Sequence, residues 1–144
     1  MRLLVTGAAG DFGRDLVPWL ARRHEVRATD LRPATPPCEF VAADLSDPAQ
    51  VDGLCEGVEA VIHLAALLPT APHSTMDYLD GNTRAVHLLA EEALRAQVQH
   101  FVFVSTDWVA GNGDEGPPPI DETVATQPVC MYGLTKYYGE LAIE

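Results

Sequence analysis

A tyrosine and a lysine stand four residues apart near the end of the 144-residue chain, in the stretch MYGLTKYYGE at 131–140. On a helix, this spacing places the side chains of Tyr132 and Lys136 at neighbouring positions on one face. A phenol has an ordinary pKa of about 10, too high for an efficient base at neutral pH, and a nearby ammonium stabilises the phenolate. The pair is therefore a candidate for acid–base chemistry, although ordinary surface helices carry the same spacing.

A glycine-rich stretch, TGAAGDFG at 6–13, lies between an apolar run and an amphipathic one. Its three glycines permit a tight turn, a close approach of backbone to a pyrophosphate, and close packing of helix on strand. The N-terminus of the helix then faces the phosphates. Because the stretch follows a predicted strand and opens a predicted helix, it indicates a dinucleotide site rather than ordinary turn glycines. The predicted cofactor-binding residues of this turn are Gly7, Gly10, Asp11, Phe12 and Gly13.

An aspartate, Asp30, ends the second apolar run, 17 residues beyond Gly13. A carboxylate at this place accepts hydrogen bonds from the adenosine ribose hydroxyls and repels a 2′-phosphate, which favours NAD over NADP. Arg32 could instead reach such a phosphate, but a solvated loop cation is the simpler interpretation of that residue. We therefore expect NAD as the cofactor and Asp30 as one of its ligands.

Five apolar runs alternate with amphipathic stretches, which is the pattern of βαβ units around a parallel sheet. The predicted strands are 2–7, 25–30, 39–44, 60–65 and 100–105, and the predicted helices are 11–23, 47–56 and 75–97. A long stretch at 111–128, rich in glycine, proline and acidic residues, predicts a loop. The expected fold class is α/β, a doubly wound parallel sheet of the Rossmann type in a single domain.

The composition excludes several kinds of partner. The chain is 47% apolar and 21% charged, as in ordinary globular domains, and its net charge of −12 argues against nucleic acid and anionic membranes. The longest apolar run, at 60–71, contains a histidine and a proline and is too short to span a bilayer. Three cysteines without metal-ligand spacing, and no recognisable signal peptide, lead us to expect a cytoplasmic protein with no metal site.

Further landmarks, in order along the chain, resemble those of the extended short-chain dehydrogenase/reductases, the nucleotide-sugar epimerase and dehydratase group. The glycine spacing matches the motif of that family, and the resemblance extends over all 144 residues. The other matching segments are Asp44 with Leu45, HLAA at 63–66, Asn82, Ser105 with Thr106, PIDE at 119–122, Pro128, and YGLTK at 132–136.

The resemblance implies an NAD-dependent oxidoreductase or epimerase that acts on a sugar or nucleotide sugar by hydride transfer. It gives Tyr132 the role of base, Lys136 the roles of lowering the phenol pKa and holding the nicotinamide ribose, and Thr106 a hydrogen bond to the reacting oxygen. The implied catalytic residues are thus Thr106, Tyr132 and Lys136. The cofactor-binding residues that the resemblance adds are Asp44, Leu45, Leu64, Ala65, Ala66 and Asn82, together with Tyr132 and Lys136.

Two departures from the family pattern occur in STDWVAG at 105–111. Ala110 stands where epimerases carry a tyrosine, and Trp108 stands where sugar 4,6-dehydratases carry a glutamate. Tryptophan cannot remove the C5 proton of a sugar, so a dehydratase of that kind is disfavoured. A uronate or other sugar-acid dehydrogenase needs only hydride transfer, for which the residues present suffice.

Family members are longer than this chain, which stops in the helix that carries Tyr132. We therefore expect 1–144 to be the dinucleotide-binding domain, without the C-terminal part that binds the substrate. A non-catalytic NAD(P)-binding module or sensor stays open as an alternative to an enzyme. The resemblance also implies a homodimer through the helices at 75–97 and 130–144, while an open edge of the fifth strand offers a second route to association.

Overall fold

Five parallel strands form one sheet in the order β3-β2-β1-β4-β5. They are β1 (Arg2–Thr6), β2 (Glu25–Asp30), β3 (Glu39–Ala42), β4 (Ala60–His63) and β5 (His100–Phe103). The computed structural model describes residues 1–111 and 121–144. It confirms the expected α/β fold of the Rossmann type. The strand order reverses at β1 and β4, and open sheets of this kind bind their ligands beside that reversal.

The helical elements are α1 (Asp11–Leu20), α2 (Pro48–Val51), α3 (Thr75–Tyr78), a π-helical segment (Leu79–Arg84), α4 (Ala85–Arg95), a 3₁₀ turn (Asp107–Ala110) and α5 (Met131–Ile143). The prediction of a helix at 47–56 was wrong, because only one α-helical turn forms there. Asp47 caps that turn through its side chain, which accepts from the Ala49 amide at 3.0 Å. Gly53 and Gly57 then adopt φ values of +77° and +69°, which a continuing helix does not allow.

The predicted helix at 75–97 is helical from Thr75 to Arg95, but it changes type along its length. Ser74 begins it with a capping box, in which its side chain and that of Asp77 satisfy each other's backbone amides. The π-helical segment that follows inserts one extra residue into the helix, a feature that often marks functional sites. The predicted helix at 11–23 also ends early, at Leu20, two residues after Pro18.

The sheet is covered on both faces, and β1 contributes to both cores because successive side chains of a strand point to opposite faces. Leu4 packs under α4, whereas Leu3 and Val5 pack under α1. This double coverage explains why the strands are nearly continuous apolar runs in the sequence. β5 is covered less completely, since His100 and Val102 on one of its faces are exposed.

The predicted loop at 111–128 is described only in part, and residues 112–120, including two positions of the PIDE segment, lie outside the described residues. In the described parts of the chain, no helix is long and apolar enough to cross a membrane. Nor do residues 1–111 and 121–144 contain a group of three His, Cys, Asp or Glu side chains arranged to hold a metal ion.

Candidate active site

A cavity of about 710 Å³ lies along the carboxyl ends of β1, β2 and β4 and extends to α5. Its walls bring together all of the predicted site residues except Asn82 and Thr106. Those residues are Gly7, Gly10, Asp11, Phe12, Gly13, Asp30, Asp44, Leu45, Leu64, Ala65, Ala66, Tyr132 and Lys136. The volume lies in the range of pockets that bind small molecules and cofactors.

The turn between β1 and α1 needs glycine at two of its positions. Gly7 has a φ of +69°, and a Cβ atom there would meet the Ala65 nitrogen at 2.7 Å. A Cβ atom at Gly13 would collide with the carbonyl oxygen of Gly7 and approach the Cα atom of Ala8 to 2.8 Å. The turn therefore packs directly against the end of β4, and the start of α1 packs directly against the turn.

The N-terminus of α1 forms part of the cavity wall and has free backbone donors. No side chain caps this helix, and its first intrahelical bond is donated by the Arg14 amide to the Gly10 carbonyl at 3.0 Å. The amides of Asp11, Phe12 and Gly13 precede that bond, so they have no partner within the helix. The side chain of Asp11 pairs with Arg14. Backbone amides at a helix N-terminus are suited to an anionic group such as a pyrophosphate.

Asp30 is buried at the end of β2, where its carboxylate joins two segments of the cavity wall. Its Oδ2 atom accepts from the Ala9 amide at 2.9 Å, so it holds the glycine turn. Its Oδ1 atom accepts from the Arg32 amide at 2.9 Å and lies 3.4 Å from Arg32 Nε. The Arg32 side chain is mostly exposed, but its guanidinium contacts the Asp30 carboxylate.

The residues after β3 form the wall beyond Asp30. Leu45 is buried in the core beneath α4, while Asp44 lies at the cavity surface. The Asp44 carboxylate accepts from the amide and the hydroxyl of Ser46 at 2.9 and 2.7 Å. Its own amide donates to Gln50 Oε1 at 2.9 Å. These bonds fix the turn into α2 and leave the second carboxylate oxygen of Asp44 free of protein partners in the described structure.

Tyr132 lies in the first turn of α5 and is 9% exposed. Its ring packs edge-on against Trp108, with centroids 5.8 Å apart and planes at 79°, and it also lies near Tyr78. Burial raises the pKa of Tyr132 above its ordinary value, and a hydrogen bond with the Thr106 hydroxyl opposes that rise. The expected lowering of this pKa by Lys136 is therefore not found in the protein alone.

Lys136 occupies the next turn of α5 and is 3% exposed. Burial lowers the pKa of Lys136 to about 8, and the charge of Glu140 opposes that shift. The ammonium is placed over the Phe103 ring, with Nζ 4.1 Å from the ring centroid. Because the side chain of Lys136 is directed to β5, its charge does not lower the pKa of Tyr132.

Asn82 lies behind the cavity wall rather than in it. Its Oδ1 atom accepts from the Leu67 amide at 2.7 Å, and its Nδ2 atom donates to the Leu67 carbonyl at 3.2 Å and to Thr135 Oγ1 at 3.1 Å. The Thr135 hydroxyl in turn donates to the Tyr132 carbonyl at 2.8 Å. Asn82, which lies in the π-helical segment, thus joins the segment after β4 to α5.

Thr106 also stands outside the cavity lining, beside the phenol of Tyr132. Its Oγ1 atom lies 3.1 Å from Asp107 Oδ1 and accepts from the Trp108 amide at 3.3 Å, which begins the 3₁₀ turn. Ser105, its neighbour, lines the cavity instead and donates to the Glu140 carboxylate.

The sequence does not single out the other lining residues as part of the site, apart from Arg32 as a possible phosphate ligand and Ser105 as a landmark of the resemblance. They are Leu31, Arg32, Ala43, Leu67, Leu68, Thr70, His73, Gly81, Ala85, Val104 and Ser105. Leu31, Ala43 and Val104 adjoin predicted site residues or strand ends, so strand ends alone could have indicated them. Thr70 and His73 lie in the segment after β4, which carries no motif that would have singled them out.

Comparison with known proteins finds related sequences and structures. The model of the NAD dependent epimerase/dehydratase family matches residues 3–144. A uronate dehydrogenase of Pseudomonas putida is 36% identical over 146 residues, which is 96% of this chain and 53% of that protein. The chain therefore spans about half the length of the curated relatives it matches.

Solved structures agree with that match. A short-chain dehydrogenase/reductase superfamily protein from Agrobacterium tumefaciens, solved with bound NAD, gives a TM-score of 0.91 at 34% identity, over 99% of this chain and 44% of that one. MoeE5, solved in complex with UDP-glucuronic acid and NAD, gives a TM-score of 0.89 at 30% identity, over 99% and 48% of the two chains.

Proposed function

Because the chain belongs to the NAD dependent epimerase/dehydratase family, we propose that it binds NAD in the 710 Å³ cavity as the dinucleotide-binding domain of an oxidoreductase or epimerase. Its substrate would be a sugar or a nucleotide sugar. The observation that carries this proposal is that one cavity unites the glycine turn, Asp30 and the pair Tyr132 and Lys136, which are far apart in the sequence.

Successive parts of the cavity wall suit successive parts of a dinucleotide. The uncapped N-terminus of α1 would hold the pyrophosphate, and the absence of a side chain at Gly10 would let the backbone approach it. The Asp30 carboxylate would accept from the adenosine ribose, and Asp44 lies next along the same edge of the sheet. Lys136, at the far end of the cavity, would hold the nicotinamide ribose.

NAD, when bound, supplies the acceptor or donor of a hydride at the nicotinamide ring. In this scheme, the Tyr132 oxygen takes the proton of a substrate hydroxyl, while the carbon that bears this hydroxyl loses a hydride. Thr106, beside the phenol, would hold the reacting oxygen. Burial raises the pKa of Tyr132 in the protein without ligands, so this scheme requires the positive charge of Lys136 to stabilise the phenolate once cofactor and substrate are bound.

A sugar-acid dehydrogenase fits the site better than a dehydratase. Trp108 stands at the position of the dehydratase glutamate, and its ring is used to pack edge-on against Tyr132. It therefore supplies no base for proton removal from carbon. The relatives named uronate dehydrogenase and the structure solved with UDP-glucuronic acid support the choice of an acidic sugar.

Titration of the 144-residue chain with NADH tests the proposal directly. We expect saturable binding of one NADH per chain, retained by Tyr132→Phe as a matched control, because that variant keeps the cavity walls. Absence of binding at millimolar NADH would overturn the proposal. Turnover of glucuronate with NAD by the whole protein then separates an enzyme from a non-catalytic NAD-binding module.

We also propose that the protein forms a homodimer through the helices at 75–97 and 130–144. The outer face of α5 exposes an apolar stripe at Leu134, Tyr138 and Leu141. The helical run before β5 exposes Met76 and Leu79 in the same way. Two such faces would bury each other in a helix bundle.

Light scattering after size exclusion tests the homodimer. We expect a mass near twice 15.6 kDa that falls to one chain in Leu134→Glu. Val102→Lys, on the exposed face of edge strand β5, is the matched control and should leave the dimer intact. If Val102→Lys alone dissociates it, association occurs through the strand edge.

A further inference from the structure

The side chain of Lys136 is buried, and its ammonium lies over an aromatic ring. Its Nζ atom lies 4.1 Å from the centroid of Phe103, and Lys136 is 3% exposed. Among residues 1–111 and 121–144, no ion pair or hydrogen bond is formed to this ammonium. A buried charge without such partners is costly, and the negative face of an aromatic ring is a favourable surface for a cation.

Three elements hold the Phe103 ring in this place. The His63 ring of β4 stacks with it at a centroid distance of 5.7 Å and an interplanar angle of 19°. His63 is itself fixed by a 2.7 Å hydrogen bond between its Nδ1 atom and the Thr6 hydroxyl. At the tip of the ring, a Cβ atom at Gly139 would approach Phe103 Cε2 to 2.8 Å, so glycine is what lets α5 approach the ring.

We propose that Phe103 is a positioning residue, which holds the ammonium of Lys136 at the cavity wall through a cation–π contact. The proposal rests on the proposed function, in which Lys136 holds the nicotinamide ribose at the cavity wall. Phe103 does not line the cavity, so it acts through Lys136 and not on the ligand.

None of the other ionisable groups around Lys136 in the described residues forms an ion pair with its ammonium. Burial, together with the charge of Lys136, lowers the pKa of His63 to about 3, so His63 is neutral at physiological pH. The Tyr132 phenol is neutral at that pH as well, since burial raises a pKa that is already high. Glu140, one helical turn on, is the remaining charge, and its carboxylate is engaged by the Ser105 hydroxyl.

Lys136 is the only lysine in the chain, which makes its side chain directly observable. Protein labelled with ¹³C,¹⁵N-lysine gives a single set of lysine side-chain signals by NMR. In the wild type, we expect the Hε protons to be shifted upfield by the ring current of Phe103. Phe103→Leu should abolish that upfield shift, and because the leucine keeps the site apolar, it should bring the titration midpoint of Lys136 below the wild-type value.

Phe101→Leu is the matched control, since Phe101 lies two residues earlier on β5 and also contacts His63. It should leave the Lys136 signals and their titration unchanged. Loss of the cation–π contact should also weaken NADH binding at pH 7.5 by about tenfold in Phe103→Leu, whereas Phe101→Leu should bind as the wild type does.

A wild-type Lys136 signal without an upfield shift overturns the proposal, and no variant is needed for that result. The proposal is equally overturned if Phe103→Leu leaves the shift and the titration of Lys136 unchanged. Should Phe103→Leu fail to fold, Gly139→Ala displaces the ring with both partners present and must reduce the upfield shift. The NMR measurement needs no cofactor, so a wild type that shows the shift but binds no NADH would refute the proposed function and leave the positioning of Lys136 established.

Discussion

The two ends of the cavity are built in different ways. The glycine-turn end, formed by residues 7–13 and Asp30, is fixed by backbone atoms in close contact, including the approach of Gly7 to Ala65. The tyrosine end, formed by Tyr132 and Lys136, is held by side chains from several other elements. Trp108 of the 3₁₀ turn and Asn82 of the π-helical segment both support α5 from a distance in sequence.

This difference determines how each end responds to change. These backbone contacts tolerate almost no added volume, so a single methyl group at Gly7 or Gly13 should disturb the fold and the binding together. At the tyrosine end, chemistry and support are carried by separate side chains. Removing the phenol oxygen of Tyr132 should therefore leave binding and stability nearly intact.

The largest effect should come from Tyr132→Phe, which removes the phenol oxygen and keeps the ring packed against Trp108. We expect turnover by the whole protein to fall by roughly 10²–10⁴-fold, as for a lost acid–base group, with NADH affinity almost unchanged. Steady-state kinetics and an NADH titration measure the two quantities. A variant with turnover within a few fold of the wild type would remove Tyr132 from the chemistry.

Gly13→Ala tests the opposite end. Its Cβ atom would meet the backbone of Gly7 and Ala8, so we expect a loss of about 3 kcal/mol in unfolding free energy and a marked loss of NADH binding. Gly10→Ala is the matched control, because its Cβ atom would meet only the Gly7 oxygen, at 3.1 Å. Urea unfolding compares the two, and equal destabilisation would contradict the role given to close packing at Gly13.

The same difference explains which parts of the site could be predicted from the sequence. The parallel sheet and the glycine-turn end follow from local patterns, since the glycines and Asp30 each stand at the end of a predicted strand. Their contacts with Ala65 and Ala9 are nonetheless distant in sequence. Helix lengths were less predictable: two left-handed glycines, Gly53 and Gly57, shorten the second helix to one turn. The supports of the tyrosine end, such as Asn82 and Phe103, act across 53 and 33 residues, and no local pattern indicates such pairings.

Buried Lys136 should make the stability of the protein depend on pH. Its pKa falls from 10.5 to about 8 on folding, so between these values the unfolded chain binds more protons than the folded one. Stability should therefore rise with pH, by about 2 kcal/mol from pH 7.5 to 9.5. Urea unfolding at both pH values measures this gain.

Lys136→Met is the control for the pH dependence, because it removes the titrating group and keeps an apolar chain of similar length. Cys38 and Cys55 have raised pKa values and act in the opposite direction above their unfolded pKa, but they do so equally in both proteins. The wild type should gain about 2 kcal/mol more than Lys136→Met over this interval. Identical pH profiles would show that the ammonium is not buried.

The smallest effect concerns the choice of cofactor. Asp30→Ala should weaken NAD binding more than NADP binding, because the carboxylate both accepts from the ribose hydroxyls and repels a 2′-phosphate. It also releases Arg32 Nε, which lies 3.4 Å from the carboxylate, to meet such a phosphate. We expect the preference for NAD to narrow by about tenfold, which corresponds to about 1.4 kcal/mol.

Asp30→Asn separates the two functions that the structure gives to this side chain. The amide keeps an oxygen to accept from the Ala9 amide, as the carboxylate does at 2.9 Å, but it carries no charge. If repulsion of the phosphate dominates, Asp30→Asn narrows the preference as much as Asp30→Ala does and binds NAD more tightly than the alanine variant. If both variants keep the wild-type ratio of NAD to NADP affinity in fluorescence titrations, the only role of Asp30 is to hold the glycine turn, and the ribose lies elsewhere.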